Sequence, residues 1–414
     1  MTRLVKNKRA EFLIFLCWLA YTSAYIGRFN YNASMVDILS QLNVTKEAAG
    51  TVSSFFFFSY GVGQIVNAFL SKRYNTKYSV AVSLAASSVI NLAMTFCGGI
   101  GNMKYLWFLN GAFQSILWSS LIKTLSENIE DRKLPKAILI LSTTVASGTF
   151  FAYGIAALFS ALHLKWTTIF YVASAVVGFA ALLWFFGIGT LKGEETASAE
   201  VKTKSRGKLS LTPALIFSFI VIFISAIANG FIKDGVTTWV PSILKEEFGV
   251  KSSLSIIVTL ILPLIAIFGS TIVTALRRKQ KNENILNGLF FLATVILVGA
   301  ILVTLGLKLL PLSLALFAGV SCMMSSVNNV MTSVIPLYSR DKVDSGFMAG
   351  LLNTFCYVGS TLSTSLLGRI ADKSGWIDVL VCILIFALTA FVMCVLASVF
   401  ARKGGALTSG SMEK

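Results

Sequence analysis

Long apolar segments follow one another along the whole chain, with short polar stretches between them. The first, FLIFLCWLAYTSAYIGRFNYNASM (12–35), exceeds the roughly 20 residues that a helix needs to cross a bilayer. The regular alternation of a membrane β-barrel is not visible. The pattern therefore predicts an all-α membrane protein with twelve transmembrane helices, at about residues 12–36, 49–70, 78–98, 104–125, 136–160, 166–189, 213–240, 253–276, 285–306, 311–335, 344–368 and 376–400.

One polar stretch, LKGEETASAEVKTKSRGKLSLT (191–212), divides the predicted helices into two sets of six. It predicts an N-terminal six-helix half (1–190), a cytoplasmic linker (191–212), a C-terminal six-helix half (213–402) and a cytoplasmic tail (403–414). Two six-helix halves joined by a central loop, with both termini cytoplasmic, are the plan of the major-facilitator fold. In that fold the substrate site lies near the bilayer midplane, between the halves.

Composition supports a membrane protein and limits what its charge means. Of the 414 residues, 56% are hydrophobic and 13% are charged, about half the charged share of a soluble protein. The net charge of +17 comes mostly from Lys and Arg in segments predicted to be cytoplasmic, as the positive-inside rule requires. The charge therefore reports topology, and no nucleic-acid partner is expected. We expect a monomer in the lipid bilayer of a bacterial inner membrane, without a cleavable signal peptide.

Residues typical of metal, redox or nucleotide chemistry show no pattern that supports such a site. The six cysteines lie in or at the ends of apolar segments, without paired spacing, and suit packing better than disulfides or metal binding. The single histidine, His163, falls in a predicted outer loop, so no histidine proton relay is expected inside the membrane. Without a phosphate-binding or dinucleotide loop, we predict no enzyme, cofactor or metal.

Arg28 is the most informative residue, because it lies inside the first apolar segment. A charge at bilayer depth costs about 2.5–3.5 kcal/mol even on lenient scales, so its side chain should face the protein interior. Tyr21, Tyr25 and Asn32 fall on the same helical face as Arg28. Two phenols, an amide and a guanidinium suit an anion, in particular phosphate or carboxylate.

Two further ionisable residues, Lys233 and Asp234, lie in the predicted seventh helix, in NGFIKDGVTTWVP (229–241). Lys233 would face Arg28 across the cavity, and an anion between the two cations would draw the halves together. Pairing of Lys233 with its neighbour Asp234 is the competing interpretation, weakened because adjacent residues point about 100° apart on a helix. Asp234 is the one acid well inside a predicted span, and so the candidate for proton coupling.

Further polar residues are assigned by helical face alone. Gln64 in the second helix, and Asn353 and Tyr357 on one face of the eleventh, are candidates for substrate binding or for interhelical hydrogen bonds. Lys123 should pair with Glu127 one turn away. The row FFFF (55–58) is interpreted as lipid-facing or core bulk. The small residues of 142–154 should permit close helix packing, and Pro263 should bend the eighth helix.

Several motifs, in order along most of the chain, resemble the organophosphate:phosphate antiporter family of the major facilitator superfamily. They are AYTSAYIGRFNYNASM (20–35), SKRYNTK (71–77), Trp118 followed by Lys123, KDGVTTW (233–239) and CYVGS with ADKSGW. The resemblance implies alternating access and a substrate arginine at Arg28. It also implies that Tyr21 and Tyr25 occupy the places of two tyrosines at the family's site.

The departures from the family concern the same site. Lys233 stands where the family has a second arginine, which keeps the charge and loses the bidentate fork. A histidine of the family's fifth helix falls near Thr144, and a lysine of the glycerol-3-phosphate branch falls at Gln64. Lys72 replaces a loop aspartate.

Three functions remain open at this point. The favoured one is exchange of an organic phosphate for inorganic phosphate, with Arg28 and Lys233 as phosphoryl ligands. The lack of a buried acid in the first half favours exchange over symport. The alternatives are a proton-coupled symporter of another organic anion, such as a sugar acid, and a transporter-like membrane sensor of a phosphorylated sugar.

Overall fold

The computed structural model describes residues 2–70, 74–130, 132–190, 213–338 and 345–402, and throughout these ranges the regular structure is helical. The predicted linker 191–212, the tail 403–414 and Lys72 lie outside the described residues. Nine helical segments of the described chain are long and apolar enough to cross a membrane. The prediction of an all-helical membrane protein is therefore confirmed.

The N-terminal half of the described chain contains nine helices. They are α1 (Thr2–Ala33), α2 (Met35–Leu42), α3 (Lys46–Leu70), α4 (Thr76–Met94), α5 (Ile100–Gln114), α6 (Leu117–Asn128), α7 (Leu134–Ser142), α8 (Thr144–Ala161) and α9 (Thr167–Thr190).

The C-terminal half contains nine more helices and one π-helical turn. They are α10 (Pro213–Phe248), α11 (Ser252–Thr259), α12 (Ile261–Ala266), α13 (Phe268–Arg277), α14 (Glu283–Gly306), α15 (Leu310–Asn329), the π-helical turn Val330–Val334, α16 (Ile335–Tyr338), α17 (Ser345–Ser374) and α18 (Trp376–Arg402). Single residues, Leu260 and Ile267, divide the predicted eighth helix into α11, α12 and α13 on either side of Pro263; the bend at Pro263 itself stays a prediction.

Small residues let the helices of each half approach closely. In the N-terminal half, α1 packs on α8 and α9, and a Cβ at Gly148 would overlap the Tyr25 side chain. The close packing predicted for 142–154 is confirmed at this position. In the C-terminal half, α10 packs on α17, where a Cβ at Gly230 would overlap the carbonyl oxygen of Cys356.

The two halves meet along α3 and α17. The Ser54 hydroxyl donates a hydrogen bond to the carbonyl oxygen of Thr361 at 2.6 Å and lies 2.7 Å from the Thr364 hydroxyl. A Cβ at Gly50 would overlap the carbonyl oxygen of Thr364, so a glycine is needed for this approach. This tight seam brings the side chains of α1, α3 and α17 together at mid-depth.

Four side chains, which we call the Lys46–Asp372 cluster, close the seam at the end where α3 begins. The Asp372 carboxylate accepts hydrogen bonds from the backbone N–H groups of Lys46 and Glu47, at 3.1 and 2.8 Å, and so caps α3 from the other half. Lys46 pairs with Glu246 at 3.2 Å, and the indole of Trp376 donates to the same carboxylate at 2.8 Å. A negative charge at a helix N-terminus is stabilising, so the cluster favours contact between the halves.

Replacing Asp372 with Asn should open this end. The substitution removes the charge that caps α3, an interaction worth about 1 kcal/mol, so the ratio of closed to open molecules should fall about fivefold. Spin labels at Ser40 and Lys251, exposed at this end on opposite halves, would report the change by double electron–electron resonance.

Asp378→Asn is the matched control, because Asp378 is exposed on α18 and lies outside the cluster. An unchanged distance distribution in Asp372→Asn would contradict the assignment of the cluster as a closure.

Candidate functional site

A buried network of amide side chains fixes the backbone of α1 beside Arg28. The carbonyl oxygen of Gly27 accepts hydrogen bonds from Asn91 at 3.1 Å and from Asn110 at 3.0 Å. Asn91 also accepts from Asn30 at 2.7 Å, and Ser87 donates to Asn110 at 2.7 Å. Helices α4 and α5 thereby hold the turn of α1 that carries the arginine.

Arg28 lies inside a cage of aromatic rings. Its guanidinium carbon is within cation–π range of six ring centroids: Tyr60 at 4.6 Å, Phe56 at 5.0 Å, Tyr25 and Phe29 at 5.5 Å, Tyr357 at 5.6 Å and Phe57 at 5.7 Å. The rings come from α1 and α3 of one half and from α17 of the other. Only 8% of the arginine is exposed, so the predicted inward orientation agrees with the structure.

The polar contacts of Arg28 leave its charge largely uncompensated. One terminal nitrogen, Nη2, donates a hydrogen bond to the Tyr357 hydroxyl at 3.2 Å. The buried Nε–H has no hydrogen-bond partner in the described parts of the chain, and the ion pairs found there include none to Arg28. A buried cation without a carboxylate costs several kcal/mol, so the guanidinium is ready to receive an anion.

A small cavity opens beside the guanidinium. Its lining consists of Arg28, Phe29, Asn32, Ser53, Phe56, Phe57 and Trp107. The Asn32 side chain lies between the halves, because it accepts a hydrogen bond from Ser53 at 2.7 Å and donates one to Thr238 of α10 at 3.2 Å. Asn32 thus both lines the cavity and bridges three helices.

Lys233 and Asp234 form an ion pair, with Nζ 3.6 Å from Oδ1. The argument that set this pairing aside was therefore wrong, because the long lysine side chain spans the angle between adjacent residues. Asp234 is also held by the Ser360 hydroxyl of α17, which donates to its Oδ2. One third of the Lys233 side chain remains exposed, and its ammonium interacts electrostatically with Arg28 and Tyr357.

The other predicted site residues lie around this centre at different distances from the charge. Tyr21 packs edge-on against Tyr25 and also contacts Trp118. Gln64 donates to the backbone carbonyl of Ser115 at 3.3 Å, which is an interhelical role. Asn353 lies partly buried on α17, one turn before Tyr357.

The expected pairing of Lys123 with Glu127 is present at 3.9 Å. In the described ranges, no group of three or more His, Cys, Asp or Glu side chains is placed to hold a metal. The cysteines, all of them described, are free thiols.

Three cage residues escaped the sequence analysis. Phe56 and Phe57 belong to the row that was interpreted as lipid-facing or core bulk; both lie in the core, as that interpretation allows, but they also contact the guanidinium, whereas Phe58 is 54% exposed. Tyr60 contributes the closest ring. The signal was available, because positions 56, 57 and 60 share one helical face, separate from Phe58.

Comparison with known proteins identifies the fold family. Residues 17–364 match the Major Facilitator Superfamily, which covers most of the chain. The chain belongs to this superfamily. Solved structures agree: a bacterial homologue of the human lysosomal transporter Spinster matches with a TM-score of 0.78 at 14% identity, over 95% of this chain and 97% of that one. A D-xylose–proton symporter matches with a TM-score of 0.70 at 15% identity, over 97% and 99%.

Relatives within the superfamily carry names from one branch. The membrane sensor protein UhpC of Escherichia coli is 30% identical over 108 residues, 26% of this chain and 24% of the sensor. The chain thus matches only about a quarter of that relative's length. The glycerol-3-phosphate transporter of Bacillus subtilis is 21% identical over 89% of this chain and 88% of its own. The phosphoglycerate transporter protein of Salmonella typhimurium is 23% identical over 88% and 82%.

These relatives confirm the resemblance to the organophosphate:phosphate antiporter family. They also confirm that this superfamily member is a multi-pass membrane protein and not an enzyme.

Tyr357→Phe isolates the hydrogen bond to Arg28. The ring stays in the cage, and only the hydroxyl that orients the guanidinium is lost. A single hydrogen bond to a charged group is worth about 1.5–3 kcal/mol, so inorganic phosphate should bind about tenfold more weakly in equilibrium dialysis.

Tyr105→Phe serves as the control, because Tyr105 is 59% exposed and remote from the cage. Equal loss of affinity in both variants would contradict a specific role for Tyr357.

Proposed function

We propose that this protein exchanges an organic phosphate for inorganic phosphate across the membrane by alternating access. Arg28 and Lys233 hold the phosphoryl group, and Tyr21, Tyr25, Tyr357 and Asn32 support it by hydrogen bonds. Gln64 and Asn353 contact the organic part of the substrate. The relatives named for glycerol-3-phosphate and phosphoglycerate transport support this substrate class.

The observation that carries the proposal is the unpaired, buried guanidinium of Arg28. Its planar fork matches the oxygen geometry of a phosphoryl group and can bind it in a bidentate manner. The aromatic cage excludes water around the fork, so the contact with an anion is strong in a low-dielectric setting. The free Nε–H points to an acceptor that the described protein residues do not supply.

Contacts between the halves support alternating access around this site. Arg28 of α1 meets Tyr357 of α17, and Asn32 of α1 meets Thr238 of α10. An anion placed between Arg28 and Lys233 removes their mutual repulsion and favours closure around the substrate. The free energy of anion binding thereby couples occupancy of the site to the change of access.

The proposed membrane topology and location are those predicted from the sequence. Helices separated by one or two residues, or by the π-helical turn, are taken as single bent spans, except that α17 and α18 are kept apart at Gly375, which has a φ of 87°. The helices of the described chain grouped in this way support the proposal of twelve spans. An even number of spans places both termini on one side, which we propose is the cytoplasmic side of a bacterial inner membrane. We propose a monomer whose partners are lipid and small anions, without nucleic acid and without a cofactor.

Arg28→Ala should abolish exchange. Loss of one partner of a buried charge contact costs about 3–5 kcal/mol, which lowers the rate at least about a hundredfold. Arg28→Lys should be impaired about tenfold, because a point charge lacks the fork. The measurement is uptake of labelled phosphate into proteoliposomes preloaded with phosphate, without a pH gradient, followed by competition with individual organic phosphates.

Arg132→Ala is the matched control for these variants, because Arg132 is exposed and outside the cage. Substantial exchange by correctly folded Arg28→Ala would rule out the proposed role of the arginine.

A proton-coupled symporter of another organic anion is the second candidate, favoured by the buried Asp234 beside Lys233. Its test uses the unmodified protein. Symport requires that uphill uptake collapse with a protonophore, whereas phosphate exchange between equal pools persists.

A membrane sensor is the third candidate, favoured by the 30% identity to UhpC over a quarter of the chain. A sensor would bind a phosphorylated sugar in equilibrium dialysis and show no exchange in proteoliposomes.

A further inference from the structure

The net charge around the cavity is not that of the two cations Arg28 and Lys233 alone, because a carboxylate lies beside one of them. Asp234 is 9% exposed, and both of its carboxylate oxygens are engaged, one by the Lys233 ammonium and one by the Ser360 hydroxyl. An ammonium and a hydroxyl donor each stabilise the charged form of a carboxylate. Asp234 therefore places a carboxylate, held by two donors, beside one of the two proposed phosphoryl ligands.

In the described parts of the chain, Arg28 has no such compensation. Its contacts there are with six aromatic rings and one phenol hydroxyl. The guanidinium stays protonated in any protein environment. Tyr357, which accepts a hydrogen bond from Arg28, and Ser360, which donates one to Asp234, lie one turn apart on α17, so the guanidinium and the Lys233–Asp234 pair lie against the same face of that helix. Two cations and one carboxylate leave a single net positive charge.

We propose that Asp234 sets the charge of the site to one, so that the site selects singly charged phosphoryl anions over doubly charged ones. The inference rests on the proposed function, because it concerns the same anion site. In a dehydrated cavity a second negative charge on the ligand would lack a counter-charge and would keep its cost of desolvation. A singly protonated phosphoryl group matches the site without that cost.

Lys233 and Asp234 have different roles in this arrangement. In the empty site the carboxylate neutralises the ammonium, which lowers the repulsion between Lys233 and Arg28. When an anion enters, the flexible lysine stem lets the ammonium contact the anion while Asp234 remains within reach. The carboxylate then repels any further negative charge on the ligand.

The test uses two anions whose charges do not change near neutral pH. Sulfate carries two charges and methyl sulfate carries one. Equilibrium dialysis of the purified full-length protein with each radiolabelled anion measures affinity without requiring transport. The unmodified protein should bind methyl sulfate at least tenfold more tightly than sulfate.

Three variants change the charge in known steps. Asp234→Asn raises the net charge to two, and the ratio of sulfate to methyl sulfate affinity should rise at least tenfold. Lys233→Gln lowers the net charge to zero, and both anions should bind at least tenfold more weakly. The double variant Lys233→Gln with Asp234→Asn restores one positive charge, and methyl sulfate should bind about tenfold more tightly than in Lys233→Gln alone.

The outcomes separate this inference from the proposed function. Equal or tighter binding of sulfate by the unmodified protein would overturn the inference and leave phosphate exchange standing. An unchanged affinity ratio in folded Asp234→Asn would do the same, since the ratio cancels any effect of the methyl group. If sulfate, methyl sulfate and inorganic phosphate all fail to bind, the proposed function is overturned and the inference with it.

Discussion

The burial of the Arg28 guanidinium, with no carboxylate paired to it among the residues that the structure describes, is the constraint on which the site depends. Removing such an ion from water costs several kcal/mol. Six ring faces offset part of this cost, at about 0.5–2 kcal/mol each. The rings come from helices of both halves, so the same interactions that make the cation tolerable also join the two bodies of the protein. In the proposed function, a bound anion supplies the counter-charge that the aromatic rings do not.

Close helix packing fixes the position of the Arg28 guanidinium. The Gly27 carbonyl is held by two amide side chains, and the glycine contacts at Gly148 and Gly50 let α8 and α17 approach α1 and α3. In lipid there is no hydrophobic drive between helices, so small residues and interhelical hydrogen bonds must hold the bundle. Polar networks within each half are dense and buried. In the proposed cycle, the change of access therefore occurs at the seam between the halves.

The sequence predicted the class of fold and the centre of the site, because both depend on strong local signals. A charge in an apolar run demands an interior position, and spacings of four, three and four residues place Tyr21, Tyr25, Arg28 and Asn32 on one helical face. The shared helical face of Phe56, Phe57 and Tyr60 was visible in the sequence, but nothing in these residues showed that this face meets a cation, because lipid and a cation select the same aromatic side chains. The pairing of Lys233 with Asp234 was misjudged for a different reason. Angular separation describes where a side chain starts, while a lysine ends some 6 Å away.

Lys233 stands where the family has a second arginine, and the neighbouring Asp234 gives a physical reason for this difference. A guanidinium at this position would form a rigid bidentate pair with the carboxylate and would be difficult to recruit to a ligand. An ammonium on a flexible stem makes a looser pair, at 3.6 Å here, and can move between the carboxylate and an anion at little cost. In the proposed cycle the two cations therefore have different tasks. Arg28, fixed by its cage, defines where the phosphoryl group lies, and Lys233, mobile beside its counter-ion, responds to its arrival.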